Sequence, residues 1–371
     1  MSRCTIVAVC FLLAACGSQP ESQGSSDIVG RMLSDPAPND DGVLRVLVYH
    51  DMEGLSGQDD PRTFSFRESD YYPRGRELLT GDVNAVVDGL FAGGADEIHV
   101  VDAHGSGNPE PDLLLDQLDP RVEMIYRDES FGPYVDLVEP GTYDAVAVVG
   151  MHAKTGSHGF ANHTYTLGMD VIMNGMSITE TEIIGYSWGR VGVPVIFASG
   201  DDRLQENLAT MPWIQYVTVK RATSASTAEL LPLETARADL RESAMRAVQT
   251  LADARVMALT TPISAALHVV PPATLAMLEG VPGIDYEDNV VTFEAPDYRA
   301  AYDGVIALMG VARAGYTDVL FERLRQRPDF QATYNDFVAA LFARWLDYES
   351  DRWSAPPPPE LRPGRRYHGA N

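Results

Sequence analysis

The stretch GMHAKTGSHGFANHTYTLG, residues 150 to 168, holds three of the chain's eight histidines: His152, His158 and His163. Histidine is the commonest metal ligand and the usual proton carrier near neutral pH. The apolar run YDAVAVVG predicts a buried strand that ends just before His152. His158, between Gly156 and Gly159, is interpreted as a loop residue that is mobile or touches substrate.

Further candidate ligands follow two other predicted strands. The run VLRVLVYHD is followed by Glu53, and side chains that alternate along a strand place Asp51 and Glu53 on one side and His50 on the other. DEIHVVDAHGSG predicts a strand that ends near His104. Ligands of open α/β sheets bind outside the carboxyl ends of the strands, so Asp51, Glu53, His104 and His152 are expected in one crevice. Two imidazoles and two carboxylates suit one or two divalent cations of the zinc type.

The composition of the chain excludes several kinds of catalytic site, metal site and partner. All three cysteines, Cys4, Cys10 and Cys16, lie near the amino terminus, so the rest of the chain has no disulfide and no cysteine nucleophile. Any metal must therefore be held by histidines and carboxylates. The formal net charge of −25 argues against a nucleic-acid partner.

The amino-terminal segment reads as a targeting signal. An apolar run ends in the letters LAAC at Cys16, which resembles the lipobox of bacterial lipoproteins. The pattern predicts a signal peptide over residues 1–15 and a lipid anchor on Cys16. The expected location is the cell envelope, at the outer membrane facing the periplasm, because Gly17 rather than Asp follows the cysteine. An ordinary secretory signal is the alternative.

The remaining chain alternates strand and helix patterns. This order predicts an α/β fold in which a mostly parallel sheet carries helices on both faces and the metal site lies at the carboxyl ends of the strands. We expect a flexible tether over residues 16–42, rich in Ser, Gly, Asp and Pro. A catalytic domain over 43–222, a smaller α+β domain over 223–350 and a Pro-rich tail over 351–371 complete the predicted organisation. Helices are predicted at 75–93, from near Ile178, within 228–255, at 299–312 and at 333–348.

The motif HDMEGLSG resembles the SxDxEG opening of the bacterial zinc D-aminopeptidases encoded beside dipeptide transporters. The resemblance continues through YYPRGRELLTGDVNAVVDG, VVDAHGSGN, GMHAKTG, NHTYTLG, NGMSITETE and VPVIFASGDD. It covers roughly residues 45 to 313, and the ordered succession of motifs makes it specific.

That resemblance implies a site with two zinc ions per chain. Asp51 would bridge the two ions. Glu53 and His152 would bind the first zinc, whereas His104 and Glu180 would bind the second. Other divalent metals remain alternatives to zinc.

The same resemblance assigns the catalytic role to His163, which follows the ligand His152 by eleven residues. Glu182 is an alternative to Glu180 as ligand, but the fourteen residues from Glu180 to Pro194 match the family spacing better. His163 is expected to act in proton transfer or oxyanion stabilisation; a nucleophilic role is the alternative.

The resemblance implies hydrolysis of the amino-terminal residue of short peptides, with D-alanine as the expected residue. Another metal-dependent amidase or an L-aminopeptidase could use the same site, because stereochemical preference depends on pocket shape. A lipoprotein that binds peptide or metal without catalysis is a further alternative. His50 and His158 depart from the family pattern, as do the leader and the tail. Family members assemble into rings, so a homo-oligomer is an open expectation here.

Overall fold

The computed structural model describes residues 29–37, 39–108, 110–126 and 132–354. The predicted signal peptide and Cys16 lie outside these residues, as do residues 355–371 of the predicted tail. The strands are β1 (Arg31–Ser34), β2 (Arg45–His50), β3 (Glu97–Asp102), β4 (Glu123–Ile125), β5 (Ala145–Val149), β6 (Met169–Met173), β7 (Met176–Ser177), β8 (Val195–Asp201), β9 (Gln215–Ser224), β10 (Thr227–Leu230), β11 (Val256–Leu259), β12 (Ile263–Val269), β13 (Asp285–Glu287) and β14 (Val290–Ala295). The α-helices are α1 (Tyr72–Gly93), α2 (Glu180–Gly189), α3 (Asp202–Asn207), α4 (Leu233–Gln249), α5 (Tyr298–Ala312), α6 (Ala314–Arg325) and α7 (Phe330–Glu349).

A seven-stranded sheet in the order β10-β9-β8-β5-β2-β3-β4 forms the centre of the molecule. Every neighbouring pair in it is parallel except β9 with β10. The chain runs from β2 outward through β3 and β4, and then returns to place β5 and β8 on the other side of β2. The adjacent strands β5, β2 and β3 thus meet at a topological switch point, where α/β folds place their ligands. The mostly parallel α/β sheet predicted from the sequence is confirmed.

The two faces of this sheet bury alternate residues of each strand, as the pleat requires. Val46, Val48 and Val100 pack under α1 and α4 on one face. Leu47 and Tyr49 face the other side, where they join a core with α2, α5 and a second sheet. Burial on both faces explains why these strands read as continuous apolar runs.

The second sheet has five antiparallel strands in the order β13-β14-β12-β6-β7. Its strands come from both sides of the predicted domain boundary between residues 222 and 223. Strands β6 and β7 come from the amino-terminal side of that boundary, whereas β10 and α4 come from the other side and belong to the main sheet. Helix α4 lies so close to α1 that a Cβ on Gly89 would stand 2.1 Å from the Arg241 carbonyl oxygen. Long-range pairing of this kind leaves no local signal in the sequence.

The expectation of a flexible tether is wrong for residues 31–34. They form β1, which pairs antiparallel with β11. The buried Arg31 donates a hydrogen bond of 2.8 Å to the Thr210 carbonyl oxygen, and the Asn174 side chain donates to the Gly30 carbonyl at 2.9 Å. These long-range contacts order a segment that looks like a linker by composition.

From Tyr298 to Glu349 the chain is almost entirely helical. The predicted helices at 299–312 and 333–348 correspond to α5 and α7, whereas α6 was not predicted. Residues 298–325 are long and apolar enough to cross a membrane by length and composition alone. Within them, one face of α5, with Tyr298, Ala301, Tyr302 and Val305, is buried in the core beside the second sheet.

Candidate metal centre

The segments that follow β2 and β5 are fastened to each other at the end of the sheet. The Asp51 amide donates to the Val149 carbonyl at 2.8 Å, and the Gly54 amide donates to the Gly150 carbonyl at 2.7 Å. A Cβ on Gly54 would stand 1.9 Å from the Met151 carbonyl oxygen, so only glycine allows this approach. The arrangement holds Asp51 and Glu53 beside the residues that follow β5.

Asp51 lies between two imidazoles. Its Oδ1 is 2.7 Å from Nδ1 of His104, and its Oδ2 is 3.3 Å from Nε2 of His152. One carboxylate oxygen thus faces each ring, which is the arrangement of a carboxylate able to bridge two cations. The three side chains come from the ends of three adjacent strands, as the sequence predicted.

Two further carboxylates complete the cluster. Glu53 Oε2 is 3.3 Å from His104 Nδ1, and Glu180 Oε1 is 3.3 Å from His152 Nε2. One oxygen from each of Asp51 and Glu53 and one ring nitrogen of His152 lie within 4.8 Å of one another. Glu53 thus contacts His104 directly and also forms a group with Asp51 and His152, the set that the family resemblance assigns to one ion.

Backbone carbonyls fix the tautomers of the candidate histidine ligands. His104 Nε2 lies 2.9 Å from the Phe64 carbonyl oxygen, and His152 Nδ1 lies 3.0 Å from the Ala153 carbonyl oxygen. A carbonyl only accepts, so each of these nitrogens must donate. The nitrogen left to bind a metal is then Nδ1 in His104 and Nε2 in His152, the atom that faces the carboxylates in each case.

The buried negative charge of this cluster requires compensation by cations. Asp51, Glu53 and Glu180 are all buried, and within the described ranges no lysine or arginine forms an ion pair with them. Buried carboxylates are costly unless a positive charge compensates them. The donor set of carboxylates and imidazoles fits zinc or a similar divalent cation.

The pKa shifts of the imidazoles agree with that reading. Burial by itself would lower the pKa of His104, but Glu53 and Asp51 outweigh it and hold that pKa well above its usual range. Burial opposes the shift in His152 too, and Glu180 and Asp51 raise its pKa well above the usual range. Carboxylates that hold protons on these rings would hold a divalent cation in exchange for them.

His163 lies beside the cluster in a different electrostatic state. Its ring stacks on that of His152 with centroids 3.9 Å apart, and its Nε2 is 4.0 Å from Glu53 Oε1. Burial and the neighbouring His152 lower the pKa of His163, against the attraction of Glu53 and Glu180. Its Nδ1 donates to the Ala161 carbonyl at 2.7 Å, which leaves the Nε2 lone pair free to accept a proton.

The two glutamates at the start of α2, Glu180 and Glu182, make different contacts. Thr179 and Glu182 form a capping box, in which the Glu182 amide donates to Thr179 Oγ1 at 3.1 Å and Glu182 Oε2 accepts from the Thr179 amide at 2.8 Å. Glu180 instead accepts from the Tyr134 hydroxyl at 2.5 Å and from the Tyr165 amide at 2.7 Å, at the cluster. The T-x-x-E pattern of a capping box was readable in the sequence and favours Glu180 as the candidate ligand.

The other two histidines raised by the sequence lie apart from the cluster. His158 is exposed with a φ of 58°, as in a tight loop turn. His50 is buried, with Nε2 3.6 Å from Asp102 Oδ1, on the side of β2 away from Asp51. Neither is grouped with the candidate ligands.

A cavity of about 370 Å³ opens onto the cluster. Asp51, Glu53, His104, His163 and Glu180 all line it. Sequence reasoning assigned no role to other residues of its wall, since single side chains in loops carry no periodic pattern; these are Phe64, Tyr134, Tyr165, Leu167 and Arg313.

Sequence reasoning also missed the buried Lys220, which supports the ligand loop from β9. Its Nζ donates to the Glu53 carbonyl at 2.6 Å and to Gln58 Oε1 at 2.8 Å. Gln58 Nε2 in turn donates to the Met52 carbonyl at 2.6 Å. Lys220 therefore holds the backbone on which Asp51 and Glu53 are mounted, and burial lowers its pKa to about 7.

Residues 44–307 match the profile of a peptidase family described as D-aminopeptidase. The chain is 28% identical over 277 residues to the D-aminopeptidase of Bacillus subtilis (strain 168), a match that covers 72% of this chain and 98% of that relative. It is also similar to the solved structure of the Zn-dependent D-aminopeptidase DppA from Bacillus subtilis, described as a self-compartmentalizing protease. The TM-score is 0.64 at 23% identity, over 72% of this chain and 98% of that one, which establishes the shared fold.

Proposed function

Because the chain belongs to the D-aminopeptidase family of peptidases, we propose that it removes amino-terminal D-residues, D-alanine above all, from short peptides with the help of two zinc ions. Membership of this family identifies the chain as a hydrolase that acts on peptide bonds. The observation that carries the zinc proposal is the convergence of three buried carboxylates and two carbonyl-anchored imidazoles around Asp51.

Each ligand has a position suited to its proposed role. Asp51, between the two imidazoles, would hold the zinc ions together with Glu53, His104, His152 and Glu180. Zinc bound there supplies Lewis-acid polarisation of the scissile carbonyl and lowers the pKa of a water molecule. Lys220 keeps the Asp51–Glu53 backbone in place, while Tyr134 and the Tyr165 amide fix the orientation of Glu180.

His163 is the proposed proton carrier. With Nδ1 bound to the Ala161 carbonyl, its Nε2 can accept a proton at the cluster and return it to the leaving amine. The lowered pKa keeps the ring neutral before reaction, as a proton acceptor requires.

The cavity also suggests how a short peptide would be oriented. Its inner wall carries the carboxylates, which favour the free amino group of the substrate. Arg313 lies on the wall of the same cavity and forms no ion pair within the part of the chain that the structure describes. We expect it to bind the terminal carboxylate of a short peptide.

Turnover of paired substrates tests this function against its alternatives. We expect hydrolysis of D-alanine p-nitroanilide, loss of that activity on chelation, and recovery with added Zn²⁺. Preferential cleavage of the L-alanine analogue would indicate an L-aminopeptidase. Peptide binding without turnover of either compound or of D-Ala-D-Ala would favour a non-catalytic binding lipoprotein.

We further propose that the protein is lipid-anchored in the cell envelope through Cys16. This rests on the lipobox-like leader alone. Incorporation of labelled palmitate into the expressed chain, and its loss in Cys16→Ala, would support the anchor. A Cys16→Ala chain that keeps the label would refute it.

A further inference from the structure

Helix α7, Phe330–Glu349, carries an apolar face that is largely exposed, although Tyr348 near its end makes a ring contact with Trp353 just beyond the helix. Along it, Tyr334, Phe337, Val338, Leu341, Trp345 and Tyr348 follow the i, i+3, i+4, i+7 spacing of one helical stripe. These six and their neighbours Phe342 and Leu346 are 39% to 66% exposed. None of the residues of α7 is buried.

A helix of this kind needs a partner. Isolated helices of this length are marginal in water, and most helices in proteins are stabilised by packing of an apolar face. Helix α7 also lies beyond residue 307, where the match to the peptidase family ends. The surface therefore belongs to this chain's own carboxyl-terminal addition and is separate from the metal centre.

We propose that the partner is α7 of a second copy of this chain, packed antiparallel about a two-fold axis near Leu341. The stripe from Tyr334 to Tyr348 is centred on this residue, so a two-fold axis there lays the stripe of each copy on the other. The four aromatic rings of each stripe and the neighbouring Phe342 are about half exposed, and their exposed parts in two copies together amount to on the order of 1,000 Å². This is about the smallest area expected of a biological interface.

The charges flanking the stripe select the antiparallel arrangement and a protein partner. Arg327 and Asp347 are paired locally, with Asp329 and Arg352, so the charges left to act between copies are Arg323 and Arg325 before the start of α7 and Glu349 and Asp351 at and beyond its end. Antiparallel packing sets the basic end of each copy against the acidic end of the other, and parallel packing would set like charges together. Helices that lie on anionic membranes carry lysine and arginine on their polar face, but α7 has Arg344 as its single basic residue.

Cysteine cross-linking in the full chain tests the pairing, in a background with Cys4, Cys10 and Cys16 changed to Ser. Leu341→Cys should give a disulfide-linked dimer with copper phenanthroline, because residue 341 meets its own copy at the axis. Tyr334→Cys alone should not cross-link, since the two copies of that position would lie about 21 Å apart. The double variant Tyr334→Cys/Tyr348→Cys should cross-link, because position 334 of one copy meets position 348 of the other.

Solution mass supplies the second test. Leu341→Asp/Trp345→Asp should halve the number of chains per particle in sedimentation velocity, whereas Ala339→Asp/Ala343→Asp on the opposite face should leave it unchanged. Circular dichroism would verify that both variants are folded.

A mass unaffected by the first variant, together with no cross-link at position 341, would overturn the proposal. Sedimentation of the protein with phosphatidylglycerol vesicles that depends on Leu341 and Trp345 would also overturn it, in favour of a membrane partner. Peptidase activity is a separate measurement, so failure here leaves the proposed enzymatic function untouched.

Discussion

At the scale of single residues, the candidate site is organised by three backbone carbonyls. Those of Phe64, Ala153 and Ala161 each accept from one ring nitrogen of His104, His152 and His163, respectively. Each imidazole is thereby turned so that its other nitrogen faces the carboxylates or the cavity. The distance to the nearest carboxylate distinguishes the two proposed ligands from the proposed proton carrier. His104 and His152 each have a carboxylate oxygen within hydrogen-bonding or near-contact distance, whereas His163 is 4.0 Å from the nearest one.

The first prediction concerns proton transfer. His163→Ala should lower kcat for D-alanine p-nitroanilide by about 10² to 10⁴, the usual contribution of a general acid or base. Zinc content should stay that of the wild type, because the variant keeps all five proposed ligands. His158→Ala, in the same loop but exposed, is the matched control and should retain nearly full activity. Equal rates for the two variants would remove His163 from the mechanism.

Arg313 gives a prediction about substrate length. Arg313→Ala should raise KM for D-Ala-D-Ala by about tenfold, as expected for loss of a partly exposed charged hydrogen bond. D-alanine p-nitroanilide has no carboxylate, so its KM should hardly change. Steady-state kinetics with both compounds measure the difference, and a KM that rises equally for both would show that Arg313 acts on cavity shape instead.

At the scale of elements, α2 connects local sequence to the site. Its capping box uses Thr179 and Glu182, and this fixes the first turn from which Glu180 reaches the cluster. A helix whose first residue is a proposed ligand couples helix stability to metal binding.

Removal of the Thr179 cap should therefore affect both the stability of the protein and its binding of zinc. Thr179→Ala should lower the free energy of unfolding by about 1 kcal/mol and weaken zinc retention during dialysis against a chelator. Urea titration and zinc analysis measure the two effects. Thr333→Ala, an exposed position near the start of α7, is the control and should change stability by less than about 0.5 kcal/mol. Unaltered zinc retention in Thr179→Ala would separate the cap from the site.

The sequence predicted most of what local patterns encode. The apolar runs located β2, β3 and β5, and the polar residues that follow them gave Asp51, Glu53, His104 and His152. Their placement together follows from the parallel order of the sheet. By contrast, β1 and the exchange of strands across residue 222 depend on pairing between distant segments, which no local pattern specifies. Tyr134 and Lys220 were missed for the same reason, since each acts on the site from a distant segment.

At the scale of the whole molecule, the cavity and the exposed face of α7 are separate surfaces. The cavity at the carboxyl ends of the main sheet lies within the family match, whereas α7 lies beyond it. The related Bacillus subtilis protease is described as self-compartmentalizing. An additional self-association surface on α7 would give this chain contacts that a relative matching 72% of it need not share.

The central claim, a two-zinc site built around Asp51, is tested most directly by metal analysis of the purified, folded chain. We expect two equivalents of zinc per chain by inductively coupled plasma mass spectrometry, and a clear loss in Asp51→Asn, because the amide cannot bridge two cations as a carboxylate does. Circular dichroism of Asp51→Asn would show whether the chain stays folded. A folded wild-type chain that hydrolyses D-alanine p-nitroanilide with no bound metal would contradict the account.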